Sequence, residues 1–477
     1  MTAALLIDFG STFTKLRAVD LETGEIIGSG QGPSTVATDV TEGLNAALKD
    51  LEGRIGPLPD FKHRLACSSA AGGLSMVTVG LVRELTAEAA RQAALGAGAR
   101  LTGAFAYGLT GGDMAEIEAL APDIILLAGG TDGGDAVVVL GNAAKLAEGP
   151  HRWPVVVAGN REAADEAAAL LEAAGKPVMV AENVMPEFGR LNVEPTRAAI
   201  RKVFMERIVH AKGIDRAAEM FDAVLMPTPA AVLEGASLLS EGRGGKPGLG
   251  PLVVVDVGGA TTDVHSVATG EPTGEGVMAH GLPEPYLKRT VEGDLGMRVN
   301  APGIAQAAGL DALAKAAGLD EGAAAELLDG LAGDIGRLPQ TADERRFDRA
   351  LAGAALGIAV TRHAGRVDIV QTVNGPVSVQ SGKDLSAVRT VIGTGGMLAL
   401  GDGAASVLAR GLADPAHPES LRPKTPALLL DRDYVLFGCG LLAEKEPEAA
   451  LTLGMARLHP VANKPGDEDS DGRNPAA

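Results

Sequence analysis

The sequence predicts an α/β protein built from two duplicated lobes, and three observations support this prediction. Apolar runs of strand length alternate with amphipathic helical stretches through the first half of the chain. A strand that ends in an aspartate and a glycine turn occurs twice, at 5–15 and 253–263, and the two copies align at an offset of 248 positions. With 477 residues, the chain is also too long for a single hydrophobic core.

The elements of the first half follow from hydrophobic patterning and turn residues. The apolar run 3–9 predicts a buried strand, and a meander continues it through strands at 16–20 and 25–28. Residues 40–53 have the pattern of an amphipathic helix that Gly53 ends, and residues 86–95 that of a helix capped by Thr86. The remaining predicted elements are strands at 64–68, 74–82, 123–128, 153–158 and 177–180 and helices at 161–174 and 195–211.

The second half begins with a helix at 229–240, and the second Asp-Gly strand pair follows it. Residues 290–298, 303–334 and 343–363 are predicted as helical. A strand at 390–392 leads into Gly393-Thr394-Gly395-Gly396, which we pair with Gly129-Gly130 as a second trace of the duplication. The predicted division is a first lobe with insertions at 1–245, a second lobe with a helical insertion at 246–460, and a disordered acidic tail at 461–477.

Composition excludes several classes of protein. The formal net charge of −19 disfavours binding to nucleic acid or to an anionic membrane, because both would repel the chain. Hydrophobic residues make up 46% of the chain but aromatic residues only 3%, so we expect cores packed through small side chains. Cys67 and Cys439 predict no disulfide framework. With no basic segment before the first strand and no membrane-length apolar run, we expect a cytoplasmic protein.

The duplicated turns have the residue types that bind a polyphosphate. Glycine lets backbone N–H groups approach phosphate oxygens, and the serine and threonine hydroxyls beside it add donors. Asp8 and Asp256, at the ends of the two strands, are suited to hold water molecules around Mg²⁺. The residues therefore predict binding of a polyphosphate with Mg²⁺.

In the order of these motifs, the chain resembles the superfamily of actin, heat-shock-chaperone ATPases and sugar kinases over residues 4–450. The resemblance implies two ribonuclease-H-like lobes, the actin-like ATPase fold, around a nucleotide cleft, with Asp8 and Asp256 near Mg²⁺. It implies that Gly393, Thr394, Gly395 and Gly396 pack against ribose and adenine. The residues that it assigns to the phosphates are Gly10, Ser11, Thr12, Phe13, Thr14, Lys15, Gly258, Gly259, Ala260, Thr261 and Thr262.

Two positions depart from the superfamily pattern. Ala260 replaces a glycine that is usual in chaperone-type second loops. Met226 stands where several members have a water-activating Glu or Gln, and methionine cannot polarise water. Either Glu234 takes that catalytic role or hydrolysis is slow without a partner, and we favour slow, partner-stimulated ATP hydrolysis.

Two further segments, 66–76 and 292–297, resemble the accessory protein encoded beside coenzyme-B12-dependent glutamate (methylaspartate) mutase and related aminomutases. The resemblance implies a chaperone that supports or reactivates an adenosylcobalamin-dependent mutase by aiding cofactor exchange, with the mutase subunits as partners. The Ser68–Gly73 segment lines either the nucleotide cleft or the partner surface, or is a plain turn between strands. The sequence leaves open whether the protein forms a homodimer.

Other functions of the same fold remain as alternatives. A small-molecule kinase for an acid or a sugar would need an aspartate base, for which Asp113, Asp132 and Asp135 are candidates. A filament-forming actin relative is a second alternative. An iron–sulfur activator is disfavoured because Cys67 and Cys439 are far apart in the sequence. His265 lies in a near match to a cobalamin-binding loop but lacks its glycine, so we interpret it as a strand residue.

Overall fold

A computed structural model describes residues 2–10, 13–35, 39–68, 75–211, 220–334, 336–401 and 403–461. The strands are β1 (Ala3–Phe9), β2 (Phe13–Asp20), β3 (Ile26–Pro33), β4 (Phe61–Ser68), β5 (Ser75–Gly80), β6 (Arg100–Ala106), β7 (Ile124–Leu127), β8 (Val155–Val157), β9 (Val178–Val180), β10 (Ala223–Pro227), β11 (Gly242–Arg243), β12 (Lys246–Pro247), β13 (Leu252–Val257), β14 (Thr262–Val267), β15 (Val277–His280), β16 (Leu287–Glu292), β17 (Arg366–Thr372), β18 (Gly375–Ser381), β19 (Thr390–Thr394), β20 (Ala427–Leu430) and β21 (His459–Pro460). The α-helices are α1 (Val40–Ile55), α2 (Arg83–Gly96), α3 (Gly111–Leu120), α4 (Val137–Glu148), α5 (Arg161–Ala173), α6 (Val193–Ala211), α7 (Thr228–Glu241), α8 (Ala301–Ala308), α9 (Leu310–Ala317), α10 (Glu321–Gly333), α11 (Ala342–His363), α12 (Gly396–Leu400), α13 (Ala404–Ala409), α14 (Leu436–Leu442) and α15 (Pro447–Arg457).

The chain folds into two compact units. The first comprises Met1–Gly248, His280–Arg289 and Val435–Ala456, and the second comprises Leu249–Ala279, Thr290–Tyr434 and Arg457–Ala477. Residues 435–456, which the sequence division assigns to the second lobe, fold with the first unit. The acidic stretch 462–477 lies outside the described residues.

The central sheet of the first unit has the strand order β10-β4-β1-β2-β3. β1 pairs antiparallel with β2 and parallel with β4, and β4 pairs parallel with β10. Each residue of β1 is buried, as its continuous apolar sequence predicts. The register places Asp8 opposite Lys15 on β2 and opposite Cys67 on β4.

The central sheet of the second unit repeats this arrangement in the order β20-β19-β13-β14-β16, with β21 added outside β20. β13 pairs antiparallel with β14 and parallel with β19, which pairs parallel with β20. In the second unit Asp256 lies opposite Asp263, and Val257 lies opposite Thr262. The equivalent pairs in the first unit are Asp8 with Lys15 and Phe9 with Thr14. The structure therefore confirms the predicted duplication and its offset of 248 positions.

A third sheet, inserted between β4 and β10 of the first unit, has the order β6-β5-β7-β8-β9 with every strand pair parallel. Helices α3, α4 and α5 cover one face, and α2 and α6 pack on the other. Gly129 and Gly130 follow β7 of this inserted sheet, so our pairing of them with Gly395-Gly396 is wrong. The duplicated counterpart of β19 is β4, which ends at Ser68.

Three local predictions also differ from the structure. α1 continues past Gly53 to Ile55, and Gly56 caps it with a φ of 80°, which a residue with a side chain rarely adopts. α2 begins at Arg83, so Thr86 is not its cap. The predicted helix at 290–298 begins instead as strand β16, because the segment pairs with β14 before a short 3₁₀ turn at 293–295.

No helix among the described residues is both long and apolar enough to span a membrane. A hydrophobic core of the first unit lies between β1, β2, α1 and the α2–α6 pair. That of the second unit lies between β13, β19 and helices α8–α11. Glycines allow close helix–sheet contact, and a Cβ on Gly32 of β3 would lie 2.5 Å from the Gly43 carbonyl oxygen of α1.

Helix α14 docks on α7 within the first unit through backbone-to-backbone contacts. A Cβ added at Gly440 would overlap the carbonyl oxygen of Ala231, and one added at Gly235 would lie 2.5 Å from the carbonyl oxygen of Leu436. Both glycines are buried. Because backbone atoms cannot move aside as a flexible side chain can, these glycines hold residues 435–456 on the first unit.

We predict that Gly440→Ala destabilises the protein by about 3 kcal/mol, the upper end of the cost of overpacking a core. The matched control is Gly53→Ala in α1, where an added Cβ meets nothing within 4 Å. This control should gain up to about 1 kcal/mol through helix propensity. Thermal unfolding of both variants measures the difference, and a Gly440→Ala protein as stable as the wild type would contradict the docking contact.

Candidate functional site

The first predicted phosphate turn, between β1 and β2, is closed by a hydrogen bond from the Gly10 N–H to the Phe13 carbonyl at 3.0 Å. A Cβ at Gly10 would lie 2.6 Å from that carbonyl oxygen, so the turn requires glycine. The Gly10 carbonyl accepts a hydrogen bond from the Ser34 hydroxyl at 2.7 Å. Ser11 and Thr12, predicted to bind phosphate, lie outside the described residues.

The second turn, between β13 and β14, repeats this geometry. The Gly258 N–H donates to the Thr261 carbonyl at 3.0 Å, and a Cβ at Gly258 would lie 2.8 Å from that oxygen. The Gly258 carbonyl accepts from the Met297 N–H at 3.1 Å. The Gly259 carbonyl accepts from the Arg298 and Val299 N–H groups at 2.9 and 3.0 Å.

These carbonyl contacts fix the direction of the N–H groups in the second turn. In a trans peptide the N–H points opposite to the carbonyl of the preceding residue. Since the Gly258 and Gly259 carbonyls face residues 297–299, the N–H groups of Gly259 and Ala260 point away from them. Both residues are exposed. Two adjacent N–H groups at an exposed glycine turn form a site suited to an anion.

The segment 292–297, one of the two segments that resemble the mutase accessory protein in sequence, packs against the second turn. The buried Thr262 hydroxyl donates to the Leu295 carbonyl at 2.7 Å. A Cβ on Gly296 would overlap the backbone of Ala260. The segment is anchored in turn by Arg298, which forms two hydrogen bonds, at 2.6 and 2.9 Å, with the buried Asp348 carboxylate of α11.

The predicted adenosine loop lies directly beside the second turn. Gly395 has a φ of 93°, and a Cβ there would lie 2.5 Å from both Asp256 Oδ1 and the Val257 carbonyl oxygen. At Gly396, by contrast, an added Cβ meets nothing within 4 Å. The structure therefore brings Asp256, the second phosphate turn and the 393–396 loop together in one unit.

A buried carboxylate that we did not predict lies behind this loop. Asp431 follows β20 and is fully buried, and it accepts a hydrogen bond from the Thr394 hydroxyl at 3.2 Å. Its backbone N–H donates to the Gly393 carbonyl at 2.9 Å. The sequence signal was available, because an aspartate directly after an apolar strand is the pattern that identified Asp8 and Asp256.

In the first unit, Asp8 is buried and its Oδ1 atom has two donors, one from the start of α7 and one from β4. The Thr228 hydroxyl donates at 2.6 Å, and the Cys67 thiol lies at 3.7 Å. Burial raises the pKa of the Cys67 thiol well above its ordinary value, and the Asp8 carboxylate raises it further, whereas Thr228 and Lys15 act in the opposite direction. The thiol is therefore a neutral donor beside Asp8.

Sequence reasoning missed Thr228 and offered Glu234 as a catalytic candidate, with slow hydrolysis as the favoured alternative. Thr228 is the first residue of α7, and Glu234 lies six residues further, about 9 Å along the helix axis. The Glu234 carboxylate accepts a hydrogen bond from Arg201 of α6 at 3.1 Å. Glu234 is therefore paired with Arg201, and the side chain at the start of α7 is the hydroxyl of Thr228.

The side chains of the remaining predicted residues differ in how much of their surface is exposed. Phe13 is exposed at the first turn, Lys15 is half-buried, and Thr14 is buried. The Thr261 hydroxyl donates to Asp263 at 2.8 Å. His265 is buried within β14, as our interpretation of it as a strand residue predicts. Among the described residues, no group of three or more His, Cys, Asp or Glu side chains is arranged to hold a metal ion directly.

Three solved structures align with nearly the whole chain at low identity. They are the (R)-2-hydroxyglutaryl-CoA dehydratase component A of Acidaminococcus fermentans (11% identity, 95% of this chain and 97% of that chain, TM-score 0.29), a glycerol dehydratase reactivase (11%, 92% and 99%, 0.34) and the xylulose kinase of Bifidobacterium adolescentis (14%, 97% and 96%, 0.33). Because these TM-scores are low, we describe the fold by its own strand order and not by these alignments.

Sequence comparison gives a much closer relationship. A family model described as MutL protein matches residues 4–458. "Protein MutL" of Clostridium tetanomorphum is 46% identical over 454 residues, which cover 95% of this chain and 98% of that protein. The chain therefore belongs to the MutL protein family.

Proposed function

We propose that this protein is an ATP-dependent accessory protein of an adenosylcobalamin-dependent glutamate or related amino mutase, and that it aids exchange of damaged cofactor. Membership of the MutL family supports the association with the mutase. The observation that carries ATP binding is the contact of Gly395 with Asp256, beside two N–H groups that point outward from the turn. An anion site, a carboxylate and a glycine-lined loop thus adjoin each other.

These residues fit a nucleotide with its magnesium ion. The N–H groups of Gly259 and Ala260 would bind phosphate oxygens, and the open space at Gly396 would accept the ribose or the adenine ring. Asp8 and Asp256 would accept hydrogen bonds from water molecules of the Mg²⁺ ion, which binds oxygen ligands and keeps several waters. Bound Mg²⁺ would neutralise phosphate charge. Lys15 would add a positive charge beside the first turn.

Hydrolysis is proposed to be slow without the partner. A water-activating residue must be able to accept a proton. Met226 is buried at the end of β10, Thr228 already donates to Asp8, and Glu234 is paired with Arg201. The described residues at the start of α7 therefore offer no carboxylate for this step, which suits a switch that the mutase triggers. The switch itself must come from contacts that ATP makes and ADP does not.

The kinase alternative is weakened by the roles of its candidate bases. Asp132 accepts hydrogen bonds from the Arg161 N–H and the Asn183 side chain. Asp135 accepts from the Val138 N–H at the start of α4, and Asp113 forms a capping box with Thr110. All three aspartates stabilise turns or helix ends around the inserted sheet.

We predict that the two adjacent glycines of the 393–396 loop respond differently to alanine. Gly395→Ala should lower the melting temperature of the protein without nucleotide, because its Cβ would collide with Asp256 and its φ is positive. Gly396→Ala should leave that temperature unchanged and reduce only the stabilisation by Mg-ATP, which for the wild type is about 2.7 kcal/mol at 100 times Kd. Thermal shift assays with and without Mg-ATP measure both effects.

An unchanged Mg-ATP shift in Gly396→Ala, together with a wild-type melting temperature, would remove this loop from the nucleotide site. Gly141→Ala in α4 is the matched control, because an added Cβ there also meets nothing within 4 Å. Its Mg-ATP shift should equal that of the wild type.

For the mutase, we predict that inactivated adenosylcobalamin-dependent glutamate mutase regains activity when this protein, ATP, Mg²⁺ and fresh adenosylcobalamin are added together. Omission of ATP should abolish recovery, because the proposed release of damaged cofactor depends on the nucleotide. Recovery is followed as mutase activity over time, and ATP hydrolysis is followed in parallel. Phosphate transfer to an added acid or sugar without mutase, and no mutase recovery, would favour the kinase instead.

A further inference from the structure

We propose that Thr228 is a positioning residue, which acts through Asp8 and fixes the carboxylate oxygen that faces the first turn. The inference rests on the proposed binding of Mg-ATP near Asp8. It is carried by contacts within the first unit, where β10 and α7 bring Thr228 to a strand that lies 220 residues earlier in the chain.

The geometry distinguishes the two oxygens of Asp8. The Thr228 hydroxyl donates to Oδ1 at 2.6 Å, and Cys67 Sγ lies 3.7 Å from the same oxygen. Thr228 Oγ1 and Cys67 Sγ lie 3.4 Å apart, so the three groups form one cluster. The second carboxylate oxygen of Asp8, Oδ2, lies nearer the first turn, since a Cβ added at Gly10 would be 3.8 Å from it. A carboxylate held by Oδ1 therefore presents Oδ2 towards the glycine turn.

The position of Thr228 restricts the motion of its hydrogen bond to Asp8. Pro227 precedes it and Pro229 follows it, at the first turn of α7, so the backbone torsions on both sides are restricted. Asp8, Cys67 and Thr228 are all buried, which keeps water from competing for Oδ1. A hydrogen bond to a carboxylate is among the stronger kinds in proteins. Thr228 thus limits rotation of the Asp8 carboxylate before any ligand arrives.

The second unit holds its turn carboxylate differently. There the backbone of Gly395 lies so close to Asp256 that an added Cβ would be 2.5 Å from Oδ1. The hydroxyl of the neighbouring Thr394 donates to Asp431. Thr228 and Cys67 belong to the first unit, whereas the 393–396 loop belongs to the second. For this reason, loss of the Thr228 hydroxyl should affect the step that depends on Asp8 and leave the 393–396 loop intact.

The test measures how much Mg²⁺ strengthens nucleotide binding. The Kd of a non-hydrolysable ATP analogue is measured by calorimetry in Mg²⁺ and in EDTA for the wild type, Thr228→Val, Thr228→Ala, Thr228→Ser and Asp8→Ala. Thr228→Val and Thr228→Ala should reduce the Mg²⁺-dependent gain about tenfold, with the Kd in EDTA unchanged. Thr228→Ser, which keeps the hydroxyl, should retain the gain. The matched control is Thr102→Val on β6, whose hydroxyl donates to the Met76 carbonyl.

The outcomes separate this inference from the proposed function. If Asp8→Ala loses the Mg²⁺-dependent gain but both Thr228→Val and Thr228→Ala keep it, the positioning role is overturned and the nucleotide site stands. If Asp8→Ala itself keeps the full gain, the proposed role of Asp8 fails and the inference fails with it. An equal loss in Thr102→Val would show a general structural effect and would also overturn the inference.

Discussion

The structure of the second turn depends on three backbone hydrogen bonds, from the N–H groups of Met297, Arg298 and Val299 to the carbonyls of Gly258 and Gly259. These bonds turn the carbonyls inward and, because a trans peptide is planar, turn the N–H groups of Gly259 and Ala260 outward. The segment 292–297, the Arg298–Asp348 pair and the buried Thr262 hydroxyl all support this arrangement. The outward direction of these N–H groups, which suits an anion, is therefore set before any ligand binds.

The two units share one sheet topology but have diverged around their carboxylates. In both sheets an aspartate ends the central strand, and a parallel strand follows beside it. The first unit surrounds Asp8 with the Thr228 hydroxyl and the Cys67 thiol, whereas the second places glycine against Asp256 and buries a further carboxylate, Asp431. The two units thus share a duplicated sheet, whereas the side chains around the two carboxylates differ.

Features that depend on local pattern were predictable from the sequence. The offset of 248 positions predicted that the two copies correspond residue by residue, and both copies pair in the same register around their aspartates. The pairing of Gly129 with Gly395 failed because an inserted parallel sheet has glycine turns at its own strand ends. Strand β16 was mistaken for a helix because its pairing with β14 is not local. Thr228 and Cys67 were missed for the same reason, since long-range strand pairing brings them to Asp8. Asp431, by contrast, follows an apolar strand directly and could have been predicted from that local pattern.

A crystal structure of the protein with Mg²⁺ and a non-hydrolysable ATP analogue tests the central claim most directly. The account predicts phosphate oxygens within hydrogen-bonding distance of the Gly259 and Ala260 nitrogens, with the adenosine over Gly396. The claim would be contradicted by a nucleotide that is bound elsewhere on the chain while these N–H groups contact only solvent.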